Sequence, residues 1–207
     1  MSRPSLTDCL CSQVGAAVGY YTLLVASAHP EAKVYGFNPS EFFRKQMAQN
    51  IRINFGGRSG PPTSPAPICI EPRAMGLSDG AFAYVNGEFG GRVSEAQVER
   101  SGGHVDVTQG VRDVSESTSV TMSTWLAETL GADGEVWMMM VDIQGTEGKV
   151  MRAAQQDGTL ARGRVRQFFI GIHSGNNLET IQVDLTAAGY EILYAEAKVD
   201  KLSPDGL

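Results

Sequence analysis

Cysteine is scarce in this chain of 207 residues: the three present, Cys9, Cys11 and Cys69, make no even set for a disulfide framework. Free thiols in a reducing, cytoplasmic setting are the simplest reading. Cys9 and Cys11 stand too close together, and too far from other ligands, for a zinc site. Long apolar runs are also missing: nothing approaches the roughly 20 residues of a membrane-spanning helix, and no secretory signal opens the chain, so no membrane partner is expected. Basic residues give no excess either. Seventeen Lys and Arg against 23 Asp and Glu leave a net charge of −6, which argues against a nucleic-acid partner held by its phosphates. There is no serine elbow, no Cys-His pairing and no clustered metal-ligand spacing, so hydrolase and metal-site readings lack support. The set Asp142, Glu147 and His173 is too sparse to prefer a metal.

What is present is a chain of single-domain size, 42% hydrophobic and 19% charged. One domain over residues 1–207 is expected, with its core at about 10–195. Strands and helices alternate along it. Leu10 to Val14 reads as a strand, Tyr20 to Ala28 as a helix apolar around most of its circumference and therefore buried, and Lys33 to Phe37 as a second strand. Ser40 to Asn54 reads as a helix with Ser40 as its cap and Phe43, Met47 and Ile51 as its stripe. Gly56 to Pro67 is a surface loop rich in proline and glycine, and Ile68 to Glu71 a third strand. A variable excursion is expected at about 80–113. Thr124 to Leu130 then looks helical, Val136 to Val141 like a central parallel strand, and Glu147 to Gln156 helical. Arg166 to Ile172, Leu178 to Ala188 and Tyr190 to Ala195 complete the pattern as strand, helix and strand. The first strand begins close to the start of the chain, as if inside what is usually a longer unit. The alternation predicts an α/β fold with an open, mostly parallel sheet and helices on both faces.

In such a sheet the strand tips share one edge, and ligands bind beyond it. The turn Gly15 to Gly19 joins the first strand to its helix, where free N–H groups meet a negative ligand. Asn38 ends the second strand, at the position that holds a ribose in nucleotide-type sites. A nicotinamide dinucleotide is disfavoured, because Ala17 stands where its fingerprint needs a glycine. Asp142 and His173 end two later strands, and a carboxylate at the end of a buried strand is either bonded to a turn or aimed into a cleft. Glu147 near a helix start has an adequate structural explanation in the helix dipole. Ser78 and Asp79 form a turn after the third strand. His29 and His104 belong to no constellation.

Seven segments in register carry a resemblance: 14–23 (VGAAVGYYTL), 34–39 (VYGFNP), Asn50 to Asn54, 76–80 (GLSDG), 141–147 (VDIQGTE), 170–173 (IGIH) and 188–192 (AGYEI). In order and spacing this is similar to the FkbM-type S-adenosylmethionine-dependent methyltransferases, over roughly residues 10–195. The resemblance implies a class I methyltransferase fold with seven strands, S-adenosyl-L-methionine as cofactor, and methylation of a hydroxyl on a sugar or other small-molecule acceptor. Carried onto this chain, it makes Gln13, Gly15, Ala16, Gly19, Tyr20, Asn38, Ser78, Asp79 and Asp142 the expected cofactor-binding residues, and Asp142 and His173 the expected catalytic ones. The chain departs from the pattern at five positions: Gln13 replaces Asp, Ala17 Asn, Asn38 Glu, Gln144 Glu and Gly171 Glu. Two functions stay open on these grounds, an O-methyltransferase and a binding module on the same fold. The acceptor and the oligomeric state are not specified by the sequence.

Overall fold

The computed structural model describes residues 10–56, 59–60, 67–87, 90–93, 113–143, 145–173 and 175–196. Cys9, His104, Gln144, the tip of the 80–113 excursion and most of the Gly56 to Pro67 loop lie outside them. Ten strands and five helices follow one another in the described residues. The first half runs β1 (Leu10–Val14), α1 (Tyr20–Ala28), β2 (Lys33–Phe37), α2 (Glu41–Phe55), β3 (Ser59–Gly60), β4 (Ile68–Glu71) and β5 (Ala74–Met75). Then come β6 (Gly80–Gly87), β7 (Gly90–Val93), β8 (Asp113–Val120), α3 (Met122–Leu130), β9 (Met138–Val141), α4 (Glu147–Gln156), β10 (Phe168–Ile170) and α5 (Gly175–Ala187).

The chain is an α/β protein of the Rossmann-like class. Its main sheet runs β10-β9-β1-β2-β4-β3, and every pairing in it is parallel. Succession moves outward from β1 through β2 to β4, then jumps back across β1 to β9 and β10. The order therefore reverses between β1 and β9, which is where an open parallel sheet opens a crevice at its carboxyl edge. A second sheet, β5-β8-β6-β7, is built mainly from antiparallel pairs. Its strands β6 and β7 lie in the region expected as an excursion, whereas β5 before it and β8 at its end were not foreseen.

Alternation along each strand divides the core in two. Val14, Tyr35, Phe37, Met139 and Val141 face α3, α4 and α5, around the fully buried Trp125. Tyr35 and Phe37 meet the Trp125 ring edge-on at 5.5 and 5.0 Å. The opposite face carries a smaller cluster, in which Cys11, Val34 and Ile68 meet Ala26, Met47 and Ile51. Burying the four large side chains Tyr35, Phe37, Met139 and Trp125 contributes about 2 kcal/mol each, so the α3 to α5 face holds most of the packing energy.

Three expectations are corrected here. The helix α1 is not buried all round: Thr22 and Ala26 face the sheet, whereas Tyr20 is 66% and Leu24 52% exposed. The small residues explain it, since Gly36 beneath Thr22 and the short Ala26 let the backbone lie close to β2 and turn the large residues outward. Tyr190 to Ala195 forms no strand; Tyr190 instead anchors this stretch by donating from its hydroxyl to the Val165 carbonyl at 2.6 Å. Ser40 does stand at the cap position of α2, but its hydroxyl makes no capping bond, and the Asn38 side chain takes the Ser40 N–H instead.

The turn after β1 holds Ala17 at φ 44°, the one non-glycine residue with positive φ among the described residues. A side chain there costs about 1 kcal/mol relative to glycine. Ala17→Gly is expected to raise stability by up to about 0.5 kcal/mol once the added freedom of the unfolded chain is counted, and Ala17→Asn, which tolerates this conformation, by about as much. Urea unfolding midpoints check it; a loss of stability in both variants would contradict the argument.

Candidate functional site

The tips of β1 and β9 meet at the point of reversal. The Asp142 N–H donates to the Val14 carbonyl at 2.9 Å, and the Asp142 carbonyl lies 1.8 Å from where a Cβ on Gly15 would stand. With φ at +85°, Gly15 is therefore required twice, by conformation and by space. Gly19 also has positive φ, 88°, and a Cβ there would fall 2.7 Å from Met47. On the other side Ala16 donates its N–H to the Phe37 carbonyl at 2.8 Å, so the turn is laced to the tip of β2 beside Asn38. The two points expected to cradle a nucleoside thus adjoin.

Beyond these tips the structure brings Asp142, Glu147 and His173 together. Glu147, at the first turn of α4, is completely buried. Its Oε1 accepts from the backbone N–H of Ile143 at 3.1 Å and of Gly145 at 3.0 Å, and faces His173 Nδ1 at 2.8 Å. Its Oε2 accepts from Asn177 Nδ2 at 3.2 Å, and the same amide reaches the Gly145 carbonyl. Burial pushes the Glu147 carboxyl up, but the His173 contact and the backbone donors outweigh it and hold the group below its ordinary range. On the far side of the ring, His173 Nε2 lies 3.3 Å from Asp142 Oδ1. The His173 side chain is 13% exposed and that of Asp142 35%, so the pair is reachable from solvent. Gly171 makes room for it, since a Cβ there would stand 3.2 Å from the Asp142 carboxyl.

Asp142 and His173 are thus neighbours: Asp142 directly follows β9, whereas β10 stops at Ile170, shorter than the expected Arg166 to Ile172, and His173 lies three residues beyond it. Glu147 was read as a helix-dipole residue and the set Asp142, Glu147 and His173 as too sparse to prefer a metal; the structure brings all three together. Asn177 was missed altogether. The one sequence signal that could have found it is an amide just inside the helix after the His173 strand, at a place where α5 must face α4.

The other expected cofactor residues have partners inside the protein. Gln13 is buried, and its Oε1 accepts from the Thr22 N–H at 2.8 Å and hydroxyl at 2.7 Å, which ties β1 to the first turn of α1. Asn38 Oδ1 accepts from the Ser40 N–H at 2.9 Å, keeping one lone pair for a further donor. Asp79 braces the start of α3, whose cap is Thr121: one oxygen takes the Thr121 N–H at 2.6 Å and the other the Thr124 hydroxyl at 2.7 Å. The Thr121 bond, then the Thr124 bond, lower the Asp79 carboxyl below its ordinary range. Ser78 gives its carbonyl to the Ser119 hydroxyl at 2.6 Å, and Tyr20 packs edge-on against Tyr21 at the surface.

Glu71 and Arg73 were not singled out by the sequence. Glu71, at the tip of β4 next to Asn38, is buried, and Arg73 grips it with Nε on Oε1 at 2.8 Å and Nη2 on Oε2 at 3.0 Å. Arg73 Nη1 continues to Glu128 of α3 at 2.8 Å. The Glu71 bond is the main reason that the guanidinium holds its proton even more firmly than usual. A cavity of about 320 Å³ lies between Gly76, Met122 and Ala153. Another, of about 250 Å³, lies between α1 and the apolar face formed by Met138, Met140 and Phe169.

No protein-family model matches the sequence, and no curated protein does. Among solved structures, the chain is similar to the crystal structure of methyltransferase FkbM from Methylobacillus flagellatus KT, with a TM-score of 0.55 at 12% identity. The two share a Rossmann-like architecture. The similarity covers 91% of this chain and 39% of the other, so the chain spans well under half the length of that relative. At this identity the likeness speaks for the architecture. No described helix is long and apolar enough to cross a membrane.

Proposed function

We propose that the protein is an S-adenosylmethionine-dependent methyltransferase acting on a hydroxyl of a small-molecule acceptor such as a sugar. The observation that carries this reading is the convergence of Asp142, His173 and Glu147 at the reversal of strand order, on a methyltransferase fold. The residues present fit the cofactor in part: the glycine turn abuts the β2 tip, and the Asn38 amide oxygen has a second lone pair for a ribose hydroxyl. Gly15, Ala16, Gly19, Tyr20 and Asn38 would border the nucleoside, with Ser78 and Asp79 toward the base. When bound, S-adenosylmethionine supplies an electrophilic methyl group. The chain's own work is to hold the acceptor hydroxyl still, to exclude water, and to take its proton at the Asp142 and His173 pair. Glu147, fixed by four donors, keeps the imidazole in one orientation while that happens.

A binding module on the same fold is the second reading, and specific contacts favour it. Gln13, Asn38 and Asp79 all spend side-chain oxygens on internal bonds, and a neutral Asn38 loses charge assistance worth about 1–2 kcal/mol. Calorimetric titration with S-adenosylmethionine, with S-adenosylhomocysteine and adenosine as controls, separates the two. Micromolar binding is expected; no heat at millimolar ligand would leave the module reading in its place.

A further inference from the structure

We propose that Asp142 and His173 form a seat for a divalent cation, with Glu147 behind them as the group that aims the imidazole. The inference starts from a lone-pair problem. Glu147 Oε1 already accepts two backbone N–H groups and lies 2.8 Å from His173 Nδ1, so it holds the ring proton on Nδ1. The remaining ring nitrogen, Nε2, then presents a lone pair to Asp142 Oδ1 at 3.3 Å. Two electron-rich atoms at that distance repel unless something positive lies between them or bridges them. A second ring proton would do so, and so would a metal ion.

The geometry suits the ion. Potential donor atoms of Asp142, Glu147 and His173 lie within 4.8 Å of one another. Two neighbouring ligands of a six-coordinate ion with bonds of about 2.1 Å stand roughly 3 Å apart, close to the spacing of Nε2 and Oδ1. A ligating histidine whose other nitrogen is held by a buried carboxylate is the usual outer arrangement of a protein metal site. Glu147, with Oε1 spent on three donors, has that outer role and is not itself a ligand. One imidazole and one carboxylate suit Mn2+ or a neighbouring divalent transition ion. Two protein ligands leave the other positions to water and to hydroxyls of the acceptor; that last role rests on the methyltransferase reading, the seat itself does not. With the ion on Nε2 and Oδ1, the second oxygen of Asp142 is left to take the acceptor's proton.

The test is Mn2+ titration of the full chain without S-adenosylmethionine, followed by the loss of the free-ion electron paramagnetic resonance signal. One ion per chain is expected. Asp142→Asn and His173→Gln are each expected to weaken uptake at least tenfold, Glu147→Gln by about 10- to 100-fold, and Asp133→Asn, at an exposed acid elsewhere, not at all. Circular dichroism identifies any variant that fails to fold, and the remaining ligand variant then decides. No uptake by the wild-type chain at millimolar Mn2+, or uptake in Asp142→Asn and His173→Gln undiminished from that of the wild type, overturns the proposal and leaves a doubly protonated His173 between the carboxylates, which nitrogen-15 shifts of its ring would register. The cofactor titration is independent: cofactor binding without Mn2+ uptake removes the ion alone, and Mn2+ uptake without cofactor binding removes the methyltransferase reading alone.

Discussion

Glu147→Ala is expected to lower stability by about 4 kcal/mol, measured as a shift in the urea midpoint at constant slope. Truncation strips a fully buried acceptor from the N–H groups of Ile143 and Gly145, from Asn177 Nδ2 and from His173 Nδ1, all of them part-buried. Each orphaned buried donor costs about 1–3 kcal/mol, and relaxation of the 143–147 turn recovers part of the sum. Asn177→Ala, which removes one amide and leaves the other three bonds, should cost only about 1 kcal/mol. Equal losses in the two variants would show that Glu147 is not the hub. The same residue sets an acid limit. Its folded carboxyl titrates below its ordinary 4.5, so the stability it contributes is complete above that value and disappears as pH falls through the folded one. Glu147→Gln is expected to flatten that part of the stability profile in acid.

Arg73→Ala is expected to cost about 3 kcal/mol, the second large effect. Glu71 is left buried, keeping only the weaker N–H bond from residue 73 at 3.2 Å in place of a two-pronged guanidinium grip. Removing one partner of a buried pair is far more costly than removing both, so a Glu71→Met, Arg73→Met double variant should recover most of the loss. Glu128→Ala tests the exposed arm of the network: half-exposed, it should change stability by less than about 0.5 kcal/mol. The Glu71 carbonyl also accepts the Asn38 N–H at 3.0 Å, so Arg73→Ala is expected to loosen the β2 tip as well. Amide hydrogen exchange at Asn38 reports it; unchanged protection there would confine the effect to α3.

The strand and helix alternation was legible in the sequence because burial on a sheet face and on a helix face leaves periods of about two and 3.6 residues in neighbouring positions. That local record was enough for β1, α1, β2, α2, β4 and α4, and for placing Asp142 at the end of a strand; β10 stops three residues short of His173. It was insufficient where the pattern answers to something distant. The α1 helix looked buried because its apolar residues surround it, yet only the small ones, Thr22 and Ala26, meet the sheet. Val136 to Val141 looked like a central parallel strand, a kind of strand covered on both faces, whereas Met138 and Met140 are half-buried beside a cavity.

By itself, then, the order of residues determined the α/β class, the glycine turn after β1 and the polar groups at the tips. Only the tertiary structure decided that Glu147 holds His173, that Asp142 faces it, that Arg73 clasps Glu71, and that Gln13, Asn38 and Asp79 are engaged inside the protein. The physical reason is range. Backbone propensity and hydrophobic period act over a few neighbouring positions, but a hydrogen bond or ion pair depends on which strand tips the crossovers bring side by side, and here the order β10-β9-β1-β2 sets that.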